Sequence, residues 1–193
     1  SVKFFPLIGA ILGLLLGGIA YGVQWSLGAQ VPLHVLAALL LLAEVVMTGG
    51  LHCDGFMDTV DGVFSGRPRE RMLEIMKDSR VGAMGVIVCV LYLILKTMLL
   101  IALRGEAGAA HYLVIAAIPI WSRAFLPMAI AGWPYAREGQ GMGALFQTVR
   151  GRHAIAAGVL AAVLTLGLLW PLRFGSDPWG FMDVLIRLGA AAL

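Results

Sequence analysis

Residues 5–27 read FPLIGAILGLLLGGIAYGVQWSL, an apolar run that lies inside residues 4–43, where no side chain is charged. A helix needs about 20 mainly apolar residues to cross the hydrocarbon core of a bilayer. The run therefore predicts a transmembrane helix. Gly9, Gly13 and Gly17 recur every four residues within it, which places them on one helix face and favours close packing against another helix.

The composition of the rest of the chain agrees with a membrane protein. Of the 193 residues, 60% are hydrophobic and 13% are charged, and the mean hydropathy is +0.91. Soluble domains carry about 25% charged residues, so a water-facing surface is excluded. We predict an all-α, polytopic helical bundle that forms a single transmembrane catalytic domain over residues 1–193. Its six expected spans are residues 5–27, 32–51, 81–103, 110–133, 153–172 and 179–193.

The distribution of Lys and Arg predicts the orientation of these spans. With the first residue in the cytoplasm, nine basic side chains fall on the cytoplasmic side and Arg104 and Arg173 on the other. Such a bias follows the positive-inside rule. It places residues 52–80 and the loop at 135–152 in the cytoplasm. Because eight of the 14 basic side chains lie in these loops between spans, we expect the lipid bilayer as a partner and no nucleic acid.

Residues 52–80 hold six acidic and five basic side chains, eleven of the chain's 25. If this region is helical, Asp54, Asp58 and Asp61 share one face. Three carboxylates so close repel one another, and a cation would compensate. Oxygen ligands favour Mg²⁺ or Mn²⁺, and Mg²⁺ commonly combines one or two carboxylates with phosphate oxygens. The three aspartates therefore predict a metal site for phosphate chemistry.

Basic and proton-accepting side chains lie near these aspartates in the sequence. Pro68 and the apolar side chains after it predict a short interfacial helix, and a polar cluster follows where the chain re-enters the membrane. Arg123 lies in mid-span, where a charge usually marks a functional interior. The residues that we expect to bind substrate phosphates here are Lys77, Ser79, Arg80 and Arg123. Asp61, Asp78 or His52 could accept a proton in catalysis, and the sequence does not choose among them.

Three motifs together resemble the cobalamin 5′-phosphate synthase family. They are TGGLHCDGFMDTVDG at residues 48–62, EIMKDSRVG at 74–82 followed by Gly85-Val86, and YAREG at 135–139 with residues 141–146. The third motif adds Arg137 and Glu138 to the expected substrate-binding residues. The family usually carries a further C-terminal motif containing an acidic residue, and we expect this chain to lack that part.

The resemblance implies a membrane enzyme of late cobamide (vitamin B12) biosynthesis. Such an enzyme joins adenosylcobinamide-GDP to α-ribazole or α-ribazole 5′-phosphate and releases GMP. Mg²⁺ is the implied cofactor. The implied location is the bacterial cytoplasmic (inner) membrane, with the active site facing the cytoplasm. Assembly into a homo-oligomer is left open.

Three other functions remain open on the residues alone. One is another membrane alcohol phosphotransferase that acts on nucleotide-diphosphate substrates, since such enzymes also place aspartates at i+4 spacing. The second is an aspartate-rich polyprenyl transferase, which would release diphosphate. The third is a divalent-cation channel or carrier, which would need acidic or carbonyl groups along a through-path. The clustering of the acids on one side disfavours the channel.

Overall fold

The described part of the chain is entirely helical. In a computed structural model it comprises residues 2–27, 31–78, 80–107, 110–136, 146 and 148–170, without the side chains of 104–107. After a short 3-10 turn, these residues form seven α-helices and no strand. The helices are α1 Phe5–Leu27, α2 Leu33–Thr48, α3 Leu51–Phe64, α4 Arg69–Ile75, α5 Ala83–Ala107, α6 His111–Gly132 and α7 Gly151–Leu169. The predicted all-α class is confirmed.

Four helices are long and apolar enough to cross a membrane, namely α1, α5, α6 and α7. They match the spans predicted at 5–27, 81–103, 110–133 and 153–172. The sixth predicted span, 179–193, lies outside the described residues. The chain is thus a polytopic helical membrane protein.

The span predicted at 32–51 differs from the expectation. α2 has 16 residues and is about 24 Å long, shorter than the hydrocarbon core of about 30 Å. It reaches the length and hydropathy of a span only together with α3, to which it is joined at a bend of 88°. Gly49 and Gly50 form that bend, with φ of 63° and 69°. Glycine adopts this left-handed conformation without steric cost, so the two glycines let the chain turn sharply between the helices.

The chain divides into two units, one of residues 1–26 and 106–193 and the other of residues 27–105. In the first unit α1, α6 and α7 pack together. Ile120 and Ala124 of α6 meet Ala161 of α7 in a buried apolar cluster. In the second unit α2 to α5 pack together. The acidic and basic side chains of residues 52–80 all belong to this unit.

Glycines of α1 allow its close approach to α6. A Cβ added at Gly13 would lie 1.8 Å from the carbonyl oxygen of Ala116, and one at Gly9 would lie 2.3 Å from that of Pro119. Real Cβ atoms do not come this close to backbone, so only glycine fits at either position. The packing face predicted from the four-residue spacing is confirmed here.

The glycine series does not continue as a packing face beyond Gly17. A Cβ at Gly17 would lie 2.8 Å from the Tyr112 carbonyl oxygen, whereas one at Gly18 or Gly22 would meet no atom within 4 Å. Gly18 and Gly22 therefore serve as matched controls on the same helix.

An ion pair links α2 to α5 inside the second unit. The Lys96 ammonium lies 2.7 Å from Glu44 Oε2 and donates to Oε1 at 2.8 Å. Both side chains are largely buried, with about a fifth of their surface exposed. The spacing of the sequence does not predict this pair, because the two residues lie 52 positions apart. Pairing removes most of the cost of placing each charge in an apolar helix.

The glycine packing predicts opposite effects for two alanine substitutions in α1. Gly13→Ala should lower the free energy of unfolding by about 1–3 kcal/mol, because the methyl group overpacks the contact with α6. Gly18→Ala should be neutral or stabilising by up to about 1 kcal/mol, because alanine is the better helix former. Thermal unfolding of both variants in the same detergent measures the difference. Equal effects would contradict the packing role of Gly13.

The ion pair predicts a non-additive double-mutant cycle. Glu44→Gln or Lys96→Met alone should destabilise the protein, because each leaves its partner's charge unpaired in an apolar setting. The double variant should be more stable than either single one, with a coupling energy of about 1–3 kcal/mol. Unfolding of the four proteins in detergent supplies the cycle. Simple additivity would show that the pair carries no net interaction.

Candidate functional site

The first motif folds as predicted, into the helix α3. Asp54 lies in its first turn, Asp58 one turn later and Asp61 three residues beyond. The Asp54 side chain is exposed, and those of Asp58 and Asp61 are half-buried. The three carboxylates are called the acidic face below. The three aspartates lie on one helix, as the spacing predicts, but each has different surroundings.

Asp61 makes contacts that the sequence did not predict. Its Oδ2 accepts a hydrogen bond from the Gly82 backbone N–H at 2.8 Å, and its Oδ1 accepts one from the Gly85 N–H at 2.7 Å. These donors lie at the start of α5, so the carboxylate joins α3 to α5. Both of its oxygens are engaged by protein backbone.

Helices α3 and α5 also contact each other at two further points. The rings of Phe56 and Tyr92 lie 5.4 Å apart between centroids, and the side chain of Cys53 interacts with that of Cys89. Both cysteines are free thiols. α3 therefore runs antiparallel to the first part of α5.

The short helix α4 packs on the other side of α3. A Cβ at Gly62 would lie 2.6 Å from Met76 Cγ and 3.2 Å from the Met72 carbonyl oxygen. Pro68 immediately precedes α4, as expected from its preference for helix starts. This packing brings the residues that follow α4 back to the end of α3.

Residues 77–80 form the basic segment between α4 and α5. The Arg80 guanidinium donates to both oxygens of Asp78, with Nη2 to Oδ2 at 2.7 Å. Hydrogen bonding by the Arg80 side chain and backbone lowers the pKa of the Asp78 carboxyl from 3.8 to about 2, and Asp78 in turn raises the pKa of Arg80. Both side chains are exposed. Lys77 is exposed beside them, and Ser79 lies outside the described residues.

The pairing with Arg80 bears on Asp78 as a proton acceptor. A general base works best when its pKa lies near the operating pH. Because the pKa of Asp78 is about 2, its carboxylate is a weak acceptor near neutrality. The carboxylate of Asp61 is hydrogen-bonded to the backbone of α5. Of the three predicted acceptors, His52 is exposed in the first turn of α3, on the same helix as the acidic face.

Arg123 occupies the middle of α6 in the first unit. It is 9% exposed, and its Nη1 donates to Ser122 Oγ at 3.0 Å. The predicted mid-span burial is therefore confirmed, whereas its part in binding a substrate stays a prediction. Arg137 and Glu138 lie outside the described residues.

The described residues contain no group of three or more His, Cys, Asp or Glu side chains arranged to hold a metal ion. Both oxygens of Asp61 accept backbone N–H groups. Asp54 and Asp58 lie one helical turn apart on α3. Two carboxylates with phosphate oxygens are a usual Mg²⁺ ligand set, so these two residues fit the ion without Asp61. Mg²⁺ binding stays a prediction.

Sequence reasoning missed the contact between Asp61 and α5, although a signal for it was present. Helices usually begin at Ser, Thr, Asp or Asn, whose side chain accepts a backbone N–H of the first turn. α5 begins after Gly82, which has no side chain to do so. A span that starts without its own capping residue, close in sequence to an excess of carboxylates, indicates a cap donated by another helix.

Comparison with known proteins gives consistent matches. A family model described as cobalamin-5-phosphate synthase matches residues 1–193. A Desulforamulus reducens protein named adenosylcobinamide-GDP ribazoletransferase is 41% identical over 88% of this chain and 64% of its own length. A Fusobacterium nucleatum protein of the same name is 38% identical, over 88% of this chain and 62% of its own.

An Escherichia coli protein with that name is 41% identical over 96% of this chain and 82% of its own length. No solved structure matches the chain. The chain thus spans less than two thirds of the first two relatives. The match of the family model to the whole chain, with all three motifs in order, shows that this chain belongs to the cobalamin-5-phosphate synthase family.

Proposed function

We propose that the protein is an adenosylcobinamide-GDP ribazoletransferase of cobalamin biosynthesis. The observation that carries the proposal is the contact of Asp61, at the end of the acidic face of α3, with the start of α5, which directly follows the basic segment 77–80 in the chain. Membership of the family supports it, as do the relatives, whose names state this activity. The substrates are adenosylcobinamide-GDP and α-ribazole or its 5′-phosphate, and the protein acts in the bacterial inner membrane with its site towards the cytoplasm.

The proposed reaction is a displacement at phosphorus. The ribazole hydroxyl oxygen forms a bond to the phosphorus attached to cobinamide. The bond from that phosphorus to the bridging oxygen of the diphosphate breaks, and GMP leaves with that oxygen. The hydroxyl proton passes to a base. Such reactions depend mainly on the positioning of the reactants and on stabilisation of phosphate charge.

Two sets of side chains divide this work. Lys77 and Arg80 offer exposed cationic groups for phosphate oxygens, and Arg123, Arg137, Ser79 and Glu138 are further proposed substrate contacts. Asp54 and Asp58 would hold Mg²⁺, whereas both oxygens of Asp61, the third ligand predicted from the spacing, accept backbone N–H groups of α5. A bound Mg²⁺ neutralises charge on the diphosphate and aligns it. We favour His52 as the acceptor of the hydroxyl proton. Arg80 lowers the pKa of Asp78 and so makes that carboxylate a weak base near neutral pH.

Loss of the Asp58 carboxylate should stop the reaction. Asp58→Asn should reduce Mg²⁺-dependent release of GMP by at least about 100-fold, because metal stabilisation of the transition state is worth several kcal/mol. Glu70→Gln, the same chemical change at an exposed position of α4, should keep the unsubstituted rate. Both variants are assayed in membranes, with insertion checked by immunoblot. Near-normal turnover of Asp58→Asn would overturn the assignment.

The same assay separates the other functions. A different nucleotide-diphosphate alcohol phosphotransferase would release CMP or another nucleotide instead of GMP, and a polyprenyl transferase would release inorganic diphosphate. A channel or carrier would give divalent-cation flux in liposomes without any substrate. GMP release that requires both cobinamide-GDP and ribazole supports the proposed reaction over all three.

The pH dependence of turnover tests the choice of base. The pKa of Asp78 is lowered, so its ion pair with Arg80 is complete above 3.8 and is lost only as the pH falls towards 2. Asp78→Asn should therefore leave the acidic limb of the profile unchanged above about pH 5. Histidine is the side chain that changes charge between about pH 5 and 8, so His52→Gln should flatten that limb and lower kcat by about 100-fold or more. If Asp78→Asn altered the acidic limb of the pH profile and His52→Gln did not, the choice of His52 as the base would be wrong.

A further inference from the structure

The N-terminus of α5 has backbone donors but no capping side chain of its own. The Gly82 carbonyl accepts a hydrogen bond from the Val86 N–H at 3.3 Å, so Gly82 stands at the cap position. The first N–H groups of a helix have no partner within that helix. A side-chain oxygen at the cap position normally accepts one of them, and Gly82 cannot.

We propose that Asp61 is a positioning residue that caps α5 from α3 and thereby holds the start of α5, which directly follows the basic segment 77–80, against the C-terminal end of α3. Its two oxygens accept the N–H groups of Gly82 and Gly85, at 2.8 Å and 2.7 Å. A carboxylate at a helix N-terminus also interacts favourably with the helix dipole. Asp61 is then neither a metal ligand nor the proton acceptor. What it positions rests on the proposed function, whereas the cap itself does not.

Glycine at both positions makes room for this carboxylate. A Cβ at Gly82 would lie 2.4 Å from Asp61 Oδ1, and one at Gly85 would lie 2.5 Å from Oδ2 and 2.8 Å from the Met57 carbonyl oxygen. Neither glycine has a positive φ. Their role is therefore to leave space and not to permit an unusual backbone conformation.

The basic segment is anchored on α3 at both of its ends. Before it, Met76 contacts α3 at Gly62, and after it, Gly82 contacts α3 at Asp61. These two α3 residues are neighbours. The chain therefore contacts adjacent residues of α3 just before and just after its basic residues Lys77 and Arg80. The second of these contacts depends on the Asp61 carboxylate.

A stability cycle tests the cap without any assay of activity. With Asp61 present, Gly82→Ser should lower the melting temperature by about 2–8 °C, because the new Cβ meets the carboxylate. In an Asp61→Ala background the same substitution should raise the melting temperature, because the clash is gone and the hydroxyl supplies a local cap. Each variant is measured by thermal unfolding in detergent.

Asp54 provides the matched control for this cycle. Combining Gly82→Ser with Asp54→Ala should give the sum of the two separate effects, because Asp54 lies in the first turn of α3, away from the Asp61 contact. A reversal of sign with Asp61 alone supports the cap. The same sign in both backgrounds, or an equal reversal with Asp54, would overturn it.

Kinetic measurements test whether the cap formed by Asp61 contributes to substrate binding. Asp61→Asn and Gly85→Ala should both raise KM for adenosylcobinamide-GDP by roughly 10-fold, which corresponds to about 1.4 kcal/mol of lost binding. Neither should change the Mg²⁺ concentration that gives half-maximal rate, whereas Asp54→Asn should raise it. A raised Mg²⁺ requirement in Asp61→Asn but not in Gly85→Ala would show a metal ligand and overturn the positioning role. If the unsubstituted protein releases no GMP, the proposed function fails and the stability cycle still decides the cap.

Discussion

The hydrogen bonds from the Gly82 and Gly85 N–H groups to the Asp61 carboxylate are the interaction on which the second unit depends. They join residues 21 and 24 positions apart, and they satisfy polar groups on both sides at once. An ionised carboxylate beside an apolar helix is costly unless it is hydrogen-bonded, and the first N–H groups of a membrane helix are costly for the same reason. The carboxylate and the N–H groups offset each other's cost of burial by hydrogen bonding. The same contact holds α3 against the start of α5.

A second polar contact stands on the other side of the glycine bend. The pair of Glu44 and Lys96 holds α2 against α5, while Asp61 holds α3 against the start of α5. The turn at Gly49 and Gly50 lies between these two contacts. Glycines with positive φ allow the bend but do not select its angle, because they lower the barrier to many conformations. The two polar contacts restrict the bend, because one holds α2 and the other holds α3 against α5.

Local sequence predicts much of this fold because helices and spans depend on short-range patterns. Four spans, the helix that carries Asp54 and Asp58, and the glycine face of α1 follow from apolar length and from spacings of three and four residues. The 88° bend and the pair of Glu44 with Lys96 do not follow. The ion pair joins residues 52 positions apart, and the periodicity within one helix carries no information about which helix packs against it. For the same reason the sequence did not predict the partner of Asp61.

Helical spacing makes the three aspartates equivalent, and tertiary contacts make them different. Asp61 faces the N–H groups of α5 and is engaged at both oxygens, whereas Asp54 is exposed. Residues one turn apart have Cβ atoms about 5–6 Å apart, so Asp54 and Asp58 could share one divalent ion between them. We infer that the motif combines two tasks in three residues. Asp54 and Asp58 are the proposed metal ligands, and Asp61 holds the start of α5 against α3.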